Sequence, residues 1–94
     1  MSYRPVPQQN GLHGPEGRLV FVRLRVVPRS LEEALEALAQ ASFPVNPEIR
    51  HGHPWSWVEF PAYDGNVKEI HSLLDRSGLQ DVRVEVEGAL EAIR

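Results

Sequence analysis

The sequence predicts an α+β sandwich, a four-stranded antiparallel sheet with two helices packed on one of its faces. Three observations carry this reading. Several segments alternate apolar and polar residues with the two-residue period of a strand. Two others carry apolar residues at helical spacing. The segments follow one another as strand, helix, strand, strand, helix, strand.

The first strand is "RLVFVRLRVV", residues 18–27, rich in β-branched residues and ended by Pro28. Val20, Val22, Leu24 and Val26 fall on one side and form the predicted core face. Leu19, Phe21, Arg23, Arg25 and Val27 fall on the other, a mixture that predicts a face only partly covered. A helix should begin at Ser30, where Ser30 and Glu33 have the spacing of a capping box. Its core stripe is Leu31, Ala34, Leu35, Leu38 and Ala39, and it should end near Ser42.

The stretch "VNPEIRHGHPWSWVEF" reads as a hairpin of two strands, turning at Gly52 between His51 and His53. Ser56, Val58 and Phe60 point to the core, so Trp55, Trp57 and Glu59 point away from it. Asn66 and Glu69 offer a second capping box, followed by the stripe Val67, Ile70, Leu73 and Leu74 and a helix stop at Gly78. The last strand is "DVRVEVE", residues 81–87, with Val82, Val84 and Val86 inward and Asp81, Arg83, Glu85 and Glu87 outward. The final "GALEAIR" has the composition of one or two helical turns with Leu90 and Ile93 as an apolar edge.

This order is the split βαβ arrangement of ferredoxin-like domains, in which the first and third strands are central neighbours. The domain is expected to span 18–94. Residues 1–17 carry three prolines and three glycines without an apolar period and read as a flexible tail. Tyr3 or Val6 from that tail, or the C-terminal segment, are candidates to cover the outer face of the sheet.

Composition narrows the function. A chain of 94 residues without cysteine has neither a thiolate nucleophile nor a cysteine-ligated metal. No apolar run reaches the ~20 residues of a membrane span, and the first residues lack the apolar core of a signal peptide; a cytoplasmic location is the default expectation. The net charge of −3 lacks the basic footprint of most nucleic-acid binders. Nine of its ten basic residues are arginine, which stacks and forms forked hydrogen bonds better than lysine does. No phosphate loop, catalytic triad or carboxylate pair stands at recognisable spacing, so no cofactor and no catalytic residue are expected.

The candidate site is therefore the outer face of the sheet: Phe21, Arg23, Arg25, His53, Trp55, Trp57 and Arg83. "HPWSWVEF", residues 53–60, resembles the octapeptide of RNA-recognition motifs, with Trp55, Ser56, Trp57, Val58 and Phe60 in matching positions. "VFVRLR" from Val20 resembles the companion hexapeptide, with Phe21 at its aromatic position. His53 stands where that family has a basic residue, Pro54 where it has glycine and Leu24 where it usually has asparagine. The resemblance implies that Phe21, Trp55 and Trp57 stack on bases and that His53 lies near a phosphate. Arg23, Arg25, Arg83 and Arg50 would then neutralise phosphates.

"VVPRSL" before the first helix also resembles the ligand loop of ACT-like domains, with Arg29 in place of the usual glycine. His51 and His53 are candidate metal ligands, joined by Glu48, whereas zinc takes three or four ligands. Three readings follow: association with a protein, above all a second copy of this chain; single-stranded RNA binding; and a small-ligand or metal-binding regulatory domain.

Overall fold

A computed structural model describes residues 13–14, 17–79 and 81–88. It contains strands β1 (His13–Gly14), β2 (Gly17–Val26), β3 (Glu48–Arg50), β4 (Ser56–Tyr63) and β5 (Arg83–Gly88). The helices are α1 (Leu31–Leu38) and α2 (Val67–Arg76), each entered through a short 3-10 turn. The four main strands run β5-β2-β4-β3, every neighbour antiparallel. The two helices complete an α+β fold consistent with a ferredoxin-like arrangement.

The alternation in β2 decides which side is filled. Val20 is 6% exposed and Val22, Leu24 and Val26 are fully buried, meeting Val58, Phe60 and Ala62 of β4. Ile70, Leu73 and Leu74 of α2 complete this core together with Ala37 and Leu38 of α1. The α2 stripe follows the sequence pattern. In α1 the buried stripe is Ala34, Ala37 and Leu38, with Leu31 and Leu35 half-buried and Ala39 exposed. This helix stops at Leu38, short of Ser42, and tightens as Gln40 and Ala41 donate to the carbonyls of Ala37 and Leu38.

Neither expected capping box forms at the start of its helix. Ser30 closes a 3-10 turn, its N–H donating to Val27 O at 2.9 Å, and its side chain caps nothing. Asn66 turns back to accept the Tyr63 N–H at 3.0 Å, and Glu69 leaves the helix end to bind Ser42. The expected stop at Gly78 does form. Its φ of 74° is left-handed, Gly78 N–H bonds Asp75 O and Leu79 N–H bonds Leu74 O, a Schellman closure.

At the margins, Val82 and Val84 lean on the core as expected, but Val86 is 44% exposed because β5 lies at the edge of the sheet. His13 and Gly14 pair with Arg18 and Gly17, so this part of the expected tail is strand. The rest of that tail, residues 1–12 and 15–16, and most of the C-terminal segment, 89–94, lie outside the described residues. Among the described residues, no helix is long and apolar enough to cross a membrane.

Candidate functional site

The face of the sheet turned away from the helices is built in rows, because directly opposed residues share a face. Leu19 faces Tyr63. Next come Glu87, Phe21 and Pro61, then Glu85, Arg23, Glu59 and Glu48, and then Arg83, Arg25, Trp57 and Arg50. All the strand residues of the expected site, namely Phe21, Arg23, Arg25, Trp57 and Arg83, therefore lie on one surface. Trp55 precedes β4 and joins them through Arg25, whose guanidinium carbon is 4.5 Å from its ring centroid. Arg25 Nε is buried there and has no hydrogen-bond partner among the described residues.

An ion-pair network crosses the third row. Arg23 Nε donates to Glu59 Oε2 at 2.7 Å, and Arg50 donates to the same oxygen at 2.9 Å. Arg23 also approaches Glu85 at 3.8 Å, while its guanidinium sits 5.5 Å from the Trp57 ring centroid. Sequence reasoning named the arginines but missed the role of Glu59. Its position one row from Trp57, on a strand beside Arg23, is the signal that could have found it. Phe21, 39% exposed, borders a shallow depression of about 380 Å³ that Arg23, Glu59, Glu85 and Glu87 also line.

The register separates the aromatic residues. Trp57 stands opposite Arg25, whereas Phe21 stands opposite Pro61, four residues further along β4. At roughly 3.3 Å per residue their backbone positions are offset by ~13 Å along the strands, with the Arg23–Glu59 pair between them.

His53 lies in the exposed loop between β3 and β4, at a cis peptide bond to Pro54. His51 is exposed as well, and no group of three metal-ligating side chains occurs among the described residues. Gly52 is required by close approach, since a Cβ there would lie 2.7 Å from Trp55 O. The loop holding Pro28 and Arg29 forms the 3-10 turn into α1, and Arg29 faces Asp81 at 3.6 Å.

Known families add nothing to this geometry: no family model matches the chain. A search of curated proteins likewise finds no match.

Proposed function

We propose that this protein is a non-enzymatic association module whose open sheet face docks on protein, above all on a second copy of itself. The observation that carries this reading is the arrangement of charge in rows. Glu85, Glu59 and Glu48 lie in one row around Arg23, and Arg83, Arg25 and Arg50 lie in the next around Trp57. Four arginines and four glutamates (with Glu87) thus share the face and balance. A polyanion gains from a surface of one sign; adjacent rows of opposite sign suit a partner with the same rows reversed. Half-buried Trp57, exposed Phe21 and the arginines are the residue types that anchor protein interfaces.

The RNA reading keeps one supporting observation, the presence of Phe21, Trp55 and Trp57 on one face. The ~13 Å offset between the backbone positions of Phe21 and Trp57 and the internal ion pairs of Arg23 weaken it, because neighbouring bases stack on neighbouring rings. One pair of measurements separates the two. Under the protein reading, Trp57→Ala weakens self-association in sedimentation by about 2 kcal/mol, roughly thirtyfold, a loss that persists when salt screens the charged rows. A wild-type protein that stays monomeric and binds a short single-stranded RNA with steep salt dependence would overturn it.

A further inference from the structure

We infer that β5 is a second, separate contact surface, on which the β5 strand of another copy pairs antiparallel to extend the sheet across two chains. This goes beyond the face reading, since the edge engages through its backbone rather than through Trp57.

The two edges of the sheet are built differently. On one side β3 has only three residues and is preceded by Pro47. Beyond Glu59 it no longer covers β4, and there β4 carries Pro61, which has no N–H to offer. Phe43 and Pro44 border that same stretch, lining a hollow with Pro61 and Ala62. Short strands, prolines and covering loops are the usual means of keeping an edge from pairing.

On the other side, β5 pairs with β2 alone among the described residues. From Arg83 to Glu87 it has no proline and no lysine, and it runs opposite β2 in unbroken register. Its outer backbone groups form a template for another strand.

The sequence of this edge reads as its own complement. In an antiparallel pair centred on Glu85, Arg83 of each copy stands opposite Glu87 of the other, twice over by symmetry. Val84 stands opposite Val86 on the helix side, covering the valine that a single chain leaves 44% exposed. The central Glu85 pair is repulsive, but each Glu85 has Arg23 of its own chain at 3.8 Å to offset it. The two-fold axis is perpendicular to the sheet, so the open faces of both chains look the same way.

Charge reversal tests the register. Arg83, Glu85 and Glu87 are exposed in the single chain, so these substitutions leave the core intact. Arg83→Glu and Glu87→Arg each turn two attractive cross-strand pairs into repulsive ones and should weaken the dimer at least about tenfold. The double variant R83E/E87R restores both pairs and should bind more tightly than either single variant. Amide exchange within 83–87 should also slow as wild-type concentration rises. A wild type that remains monomeric, or a double variant no tighter than the single ones, would overturn the proposal. So would a dimer that Trp57→Ala abolishes and that the double variant fails to rescue, which would leave the face reading standing alone.

Discussion

Glu69 holds a loop rather than a helix end. Its two carboxylate oxygens accept the Ser42 N–H and the Ser42 hydroxyl, both at 2.7 Å. The hydroxyl bond first, and the backbone bond second, hold the carboxyl below its usual value of 4.5. Folding therefore favours the ionised form, and this contribution is present above the ordinary carboxylate range and lost as pH falls through the lower folded value. Glu69→Gln should be less stable than wild type at about pH 6, with the gap closing towards about pH 3 in urea titrations. A gap independent of pH would assign the bonds no ionic component. Leu38 is the contrasting residue, 2% exposed at the C-terminal end of the α1 stripe. Leu38→Ala should cost roughly 2–5 kcal/mol, read from denaturant midpoints, and a loss below about half a kcal/mol would contradict its burial.

Among the elements, α2 shows which signals sequence carries well. Ile70, Leu73 and Leu74 repeat at helical spacing and are all buried, and Gly78 stops the helix in a left-handed turn. Nothing lies within 4 Å of a Cβ placed on Gly78, so Gly78→Ala would cost backbone conformation alone, about 1–2 kcal/mol in thermal or denaturant unfolding. An unchanged midpoint would mean that the Schellman closure contributes nothing.

The helix starts were harder to read because their residues had better partners. Ser30 was drawn into the turn that Pro28 sets, and Glu69 found Ser42 on a segment 27 residues away. The face of each strand was legible, since alternation has a period that any reader of the chain can count. Alternation also made Val86 a core residue, but its exposure depends on an edge position that only topology decides.

For the whole molecule, the candidate site was legible as a surface and not as a geometry. Phe21, Arg23, Arg25, Trp57 and Arg83 share one face because parity along each strand is local information. Their distances depend on register between strands far apart in sequence. The Arg23–Glu59 pair joins residues 36 apart, and the same register carries Phe21 away from Trp57. An octapeptide pattern records order along one strand and is blind to that offset.

The unequal treatment of the two edges has a consequence for growth. A sheet open at both sides can recruit copy after copy, and an endless ribbon is the physical hazard of such a surface. Here Pro61 and the three-residue β3 terminate one side. Any strand that joins β5 from an identical chain brings its own terminated side to the far end. Addition through the edge thus stops at two chains, and the ribbon caps itself.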